Sequence, residues 1–274
     1  MTSKARKEGL IAFGARWGYA ARGVIFIMIG GFAGLAAMDG GQQAIGTKGA
    51  LEILLGQPFG FAILCLVAAG LLCFAGWRVV QSVFDTDNCG KDAKGILRRL
   101  ALLGGGAGNL ALAVLALSVV TGARSYGDED GITRDWTAWL LSKPFGQTVV
   151  MLIGAAIALA GILFVAKAIE ARFREQIASD FGHRRWIVAL GQFGYVARGV
   201  VFFLVGVFLI VAAWKFNSGD AAGIAGALRT LRRQPYGPAL LGITGLGLFS
   251  YGAFELVQTF ARRLNARAVT TSAV

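Results

Sequence analysis

Arg22 and Arg198 are the side chains whose chemistry is most constrained by their surroundings. They stand in Gly18-Tyr19-Ala20-Ala21-Arg22-Gly23 and Gly194-Tyr195-Val196-Ala197-Arg198-Gly199, each a few residues inside a long apolar run. Arginine does not give up its proton, so within hydrocarbon it must reach headgroups, water or an acidic partner. Two readings stand. The side chain can snorkel to the interface, or it can pair with Glu255 or Glu170 at the ends of later apolar runs. Glu255 is the better placed, because it follows Pro235 by 20 residues, about 30 Å along a helix. Asn109 and Thr244, near the middle of their runs, complete the candidate polar positions. Either can bond a neighbouring helix at about 0.6 kcal/mol.

No other group of side chains has the spacing that catalysis or metal binding requires. His183, the single histidine, lies beside Arg184 and Arg185 and reads as a solvated loop residue. Asp128-Glu129-Asp130-Gly131 lacks the ligand spacing of a calcium loop and reads as a solvated acidic turn. Gly104-Gly105-Gly106-Ala107-Gly108 has no strand before it and no lysine after it, so it is not a phosphate loop. With the pairs Gly14/Gly18 and Gly30/Gly34 it reads as a set of close helix contacts. Cys65 and Cys73 share one apolar run and read as small packing residues. Cys89 falls in a charged loop, and three cysteines make no disulfide framework. The expectation is a protein without enzymatic activity, metal or cofactor.

The elements that must hold these residues are membrane helices. Of the 274 residues 56% are hydrophobic and 15% charged, against about 25% charged in soluble chains, and mean hydropathy is +0.64. Six apolar runs are bounded by charges: Trp17 to Met38, Pro58 to Trp77, Leu100 to Ala123, Pro144 to Ala166, Ile187 to Trp214 and Pro235 to Ala261. Each reaches the roughly 20 residues that a helix needs to cross a bilayer, and none alternates like a barrel strand. Basic residues set the orientation. Five lie before or near the start of the first run, five between the second and third, six between the fourth and fifth, and three in the tail, making 19 of the 27. The sequence therefore predicts both termini in the cytoplasm. The net charge of +12 is mostly this bias, with some affinity for anionic headgroups, and no basic domain off the membrane is available for nucleic acid.

One hairpin is written three times. The Gly-Tyr-x-Ala-Arg-Gly pattern occurs twice, and Gln57-Pro58-Phe59-Gly60 returns as Lys143-Pro144-Phe145-Gly146 and Gln234-Pro235-Tyr236-Gly237. Self-similarity at a near-constant period marks one structural unit per copy. The predicted organisation is an N-terminal segment 1–11, hairpins over 12–82, 98–171 and 189–261, linkers 83–97 and 172–188, and a tail 262–274. Each hairpin has an even number of crossings, so the copies keep one orientation and are expected to be related by pseudo-threefold rotation about the membrane normal. Apolar positions three and four apart before each proline (Ala50, Leu51, Leu54 and Leu55; Trp136, Trp139 and Leu140; Ala227, Leu228 and Leu231) predict a short amphipathic helix at each outer connection. The proline is then expected to open the return span. In the second copy the arginine position falls on Gly108, followed by Asn109.

The two motifs and the triplicated hairpin together resemble the bacterial membrane proteins grouped as domain of unknown function 1206, over residues 12–262. The resemblance implies six helices in a bacterial inner membrane and carries neither an activity nor functional residues. The sequence leaves two functions open. One is a scaffold or accessory subunit that binds other membrane proteins through small-residue faces. The other is a carrier or channel for a small solute or lipid, with its site near the pseudo-threefold axis.

Overall fold

The computed structural model describes residues 3–38, 46–85, 90, 92–122, 129–170 and 185–261. Among them the chain forms nine α-helices, a 3-10 turn at Ser218–Asp220 and no strand. In chain order the helices are α1 (Ser3–Met38), α2 (Thr47–Leu55), α3 (Gly60–Val83), α4 (Ala93–Thr121), α5 (Glu129–Leu141), α6 (Gly146–Ile169), α7 (Arg185–Trp214), α8 (Ile224–Arg233) and α9 (Gly237–Ala261). Six of them, α1, α3, α4, α6, α7 and α9, are long and apolar enough to cross a membrane. The short helices α2, α5 and α8 occupy the three connections expected to be amphipathic. Cys89, Asp128 and His183 lie outside the described residues.

The return helices do not open on proline. In each copy the N–H of the glycine donates to the carbonyl three residues back: Gly60 to Gln57 at 2.8 Å, Gly146 to Lys143 at 2.9 Å and Gly237 to Gln234 at 2.8 Å. Proline takes the first corner of this turn, where its fixed φ fits. Phe59, Phe145 and Tyr236 take the second corner with φ of 62°, 63° and 61°, left-handed values that interrupt helical geometry. The helix begins one residue later. Glycine is required there, since a Cβ would run into the carbonyl of Leu54, Leu140 or Arg232 at the end of the preceding short helix. At its other end α3 continues six residues past Trp77. Arg78 does not stop it, because its guanidinium lies over the Phe74 ring within the same helix.

The chain divides into two compact units, one of Met1–Gly23, Leu54–Ala123 and Glu255–Val274, the other of Val24–Ile53 and Arg124–Phe254. In the first unit the early part of α1 packs on α3. Gly70 leaves room for Trp17 and Ala21, and Trp17 Nε1 donates to the Leu66 carbonyl at 3.0 Å. Tyr19, Phe74 and Trp77 form its core cluster with Val80. Helix α4 starts on Asp92, which accepts from the Gly95 N–H. It also closes α3, because Arg99 donates to the carbonyls of Ser82 and Val83 at 2.6 and 3.1 Å, groups that a helix end leaves unsatisfied.

In the second unit α6 packs along α7. Gly161 and Gly199 meet at backbone distance, with the Gly199 oxygen 2.6 Å from where a Cβ on Gly161 would stand. Gln147 and Gln192 bond the last carbonyls of the facing helices, Ala213 and Ala168, at 3.1 and 3.0 Å. A core of Leu141, Val150, Leu209, Ala212, Ala213 and Ala221 closes the end that carries the short helices.

Candidate functional site

Two arginine–aromatic clamps stand out from the apolar framework. In the first unit Arg22 is 5% exposed, and its Nη2 lies 3.4 Å from Glu255 Oε1. Its guanidinium is 5.1 Å from the centre of the Phe74 ring, within cation–π range. Tyr19 meets the same ring edge-on at 4.9 Å. Gly18 allows this approach, since a Cβ there would come within 2.7 Å of Phe74 Cγ. Arg78 approaches the ring at 4.9 Å and donates to Gln81 at 3.4 Å.

In the second unit Arg198 sits among four rings: Phe164 at 4.5 Å, Tyr251 at 4.7 Å, Phe202 at 4.9 Å and Phe26 at 5.3 Å. It also donates a hydrogen bond to the Tyr251 hydroxyl. Gly194 admits Tyr251, whose Cα would be 2.5 Å from an added Cβ. Tyr195 contacts Tyr251 edge-on at 5.3 Å, and Lys167 reaches the Tyr195 hydroxyl at 3.4 Å. A half-buried guanidinium is thus held largely by ring faces.

The two clamps are the same device in two copies. Phe74 and Tyr251 each follow their motif proline by 16 residues, while Arg78, Phe164 and Glu255 each follow theirs by 20. The second copy contributes Phe164 to the Arg198 clamp but lacks a tyrosine, an arginine and a ring of its own. Gly105 and Gly108 replace tyrosine and arginine, and Ala160 replaces the ring. Gly104, Gly105 and Gly108 are exposed, and among the described residues nothing lies within 4 Å of a Cβ placed on any of them. The expectation that this glycine run packs closely is therefore corrected. Gly106 alone of the four meets α3, 3.1 Å from the Arg78 stem. The partners that hold Gly18 and Gly194 have no counterpart at Ala160.

Small-on-small contacts recur further along. Gly30 of α1 meets Gly245 and Phe249 of α9, and Gly206 of α7 meets Gly154 and Ala158 of α6. Gly245 and Gly154 each follow their proline by 10 residues. At the corresponding places in α4 and α3 stand Ala116 and Ala68, both buried. Gly34 differs from Gly30, with open space where its Cβ would stand. Cys65 is half-buried and Cys73 exposed, the latter with its Cβ 3.5 Å from where a Cβ on Gly14 would stand.

The remaining candidates are dispersed. Glu170 is exposed at the C-cap of α6, and Thr244 is buried in α9. Asn109 is 7% exposed. Its Nδ2 donates back to the Gly105 carbonyl, while its Oδ1 is buried with no hydrogen-bond partner among the described residues. Trp77 Nε1 is in the same position. Among the described residues no three His, Cys, Asp or Glu side chains converge to hold a metal ion.

Asp130 overturns the reading of its segment as a solvated turn. It is 1% exposed in α5, accepts from the N–H groups of Gly223 and Gly226 at 2.9 and 3.2 Å, and pairs with Arg229. It thereby caps α8, whose own N-cap residue, Gly223, has no side chain to do so. The sequence carried one signal for this: a helix start without Ser, Thr, Asp or Asn at its head. Trp136 and Trp139 stay exposed, stacked edge-on at 5.7 Å, with Lys143 over Trp139.

These features define a multi-pass helical membrane protein built on a repeated two-helix motif. The family model described as Domain of Unknown Function (DUF1206) matches residues 17–85, 92–171 and 193–262, and the chain belongs to that family. An uncharacterized protein of Bacillus subtilis (strain 168), YxxB, is 32% identical over 250 residues, covering 89% of this chain and 88% of that protein. No solved structure matches the chain.

Proposed function

We propose that the protein is a non-enzymatic scaffold or accessory subunit of a bacterial inner membrane, with both termini cytoplasmic, that binds another membrane protein along α4. The proposed body is three like-oriented hairpins, over 12–82, 98–171 and 189–261, related by pseudo-threefold rotation about the membrane normal. Its partners are the bilayer and membrane proteins, not nucleic acid. The observation that carries the reading is the second copy's face of Gly104, Gly105 and Gly108. Its equivalents at Gly18 and Gly194 hold rings of the return helix, whereas this face is exposed and open among the described residues. Small residues let a second helix approach closely, which is what drives association in lipid. Bulk added at Gly105 or Gly108 should abolish partner recovery under mild extraction while the protein itself remains folded. Unchanged recovery with Gly105→Leu would count against the reading.

A carrier is the second reading, favoured by Asn109. Its buried Oδ1 lacks a partner among the described residues, as a group awaiting a solute or water would. Transport lost on Asn109→Leu but retained on Gly105→Leu would favour it.

A further inference from the structure

We propose that Phe59, Phe145 and Tyr236 are depth anchors whose rings sit in the ester and headgroup layer of the bilayer. The turn itself asks for glycine at their position, because φ is positive at the second corner. A side chain there is strained. The chain nonetheless places an aromatic at that corner three times, with φ of 62°, 63° and 61°. These rings are 85%, 83% and 86% exposed, so contacts within the protein do not select them. Each stands one residue before the start of a span, at Gly60, Gly146 and Gly237. The layer at that height is where Tyr and Trp concentrate; Tyr236 has the hydroxyl that suits it, while Phe59 and Phe145 offer apolar rings to its acyl side. Chain connectivity through six spans puts the three turns on one side of the membrane. Trp136 and Trp139, also exposed, belong to the short helix leading into the second turn.

The inference rests on the six helices being membrane spans, and the test separates the two. Nitroxide labels are placed singly at 59, 145 and 236 in the full chain, with Cys65, Cys73 and Cys89 replaced by serine. The protein is reconstituted into phosphatidylcholine–phosphatidylglycerol vesicles, with labels at Leu72 and Leu246 reporting the spans. The span labels should be open to oxygen and closed to a water-soluble nickel chelate; the opposite pattern would defeat the spanning reading itself. The three turn labels should show intermediate access to both reagents. Full nickel access, as at an exposed Lys215→Cys control, would overturn the anchor. Protection from both reagents would also overturn it, because a protein surface would then cover the rings. A second measurement keeps the rings in place. Replacing all three by Trp should hold the melting midpoint in vesicles, and replacing all three by Gly should lower it by several degrees. If the rings serve only the turn, the Gly variant melts higher instead, and the proposal fails.

Discussion

Removing Glu255 should damage this protein more than removing Arg22, although the two form one pair. At 3.4 Å and an effective dielectric of 20, their attraction is about 5 kcal/mol. With side chains only 6% and 2% exposed, much of that offsets the cost of leaving water. What a substitution measures is the charge left behind. Breaking a buried pair by deleting one partner costs about 3–5 kcal/mol. Glu255→Ala should lie at the top of that range, because Arg22 cannot shed its charge. Arg22→Ala should lie at the bottom. The double variant leaves no stranded charge and should cost about as much as Arg22→Ala alone. The resulting coupling equals the whole cost of Glu255→Ala, about 5 kcal/mol, above the usual range of about 0.5–3 kcal/mol for residues in contact. The assay is reversible unfolding of the full chain in mixed lipid–detergent micelles at neutral pH, for the parent and the three variants. Coupling below about 0.5 kcal/mol, where distant sites simply add, would refute the pairing and leave each charge reaching water independently.

Asp130→Ala should destabilise by about 2–3 kcal/mol, since a charged cap and its bonds to Gly223, Gly226 and Arg229 go together; amide exchange in residues 223–227 should rise first, and unchanged exchange would reject the capping role. Gly206→Val should cost about 2–3 kcal/mol through overpacking against Gly154 and Ala158, whereas Gly104→Ala should gain about 0.5–1 kcal/mol from helix propensity. A matching loss at both positions in thermal melts would mean that the α4 glycines are packed. For topology, a membrane-impermeant thiol reagent applied to intact cells should label Lys215→Cys and not Glu170→Cys; the reverse pattern inverts the assigned orientation.

The helices were legible because hydrophobic runs and charge boundaries act locally. So were the short helices α2, α5 and α8, whose apolar positions recur at helical spacing. The motif prolines could be found but their role was misjudged. Apolar patterning says nothing about φ, and it is the left-handed Phe59, Phe145 and Tyr236 that delay each helix by two residues. Asp130 was illegible for a different reason. Its partners lie more than 90 residues away in sequence, and nothing local distinguishes a capping carboxylate from a solvated one. The clamp rings, Phe74 and Tyr251, were hidden among the chain's 19 phenylalanines and 5 tyrosines. Only their shared distance from the motif prolines, read with the contacts in hand, marks them as a pair. The same alignment makes Gly105, Gly108 and Ala160 meaningful as replacements on both helices of the second copy.

Whether α4 receives a partner helix can be read by photo-crosslinking in living cells. A diazirine amino acid is placed at Gly104, Gly105 or Gly108, and as a control at Leu246, exposed on α9. The account predicts one discrete adduct with another membrane protein from the three glycine positions, absent from the control and lost when Gly105→Leu is combined with the probe at Gly108. Adducts with lipid alone, or with α6 of the same chain, would contradict it.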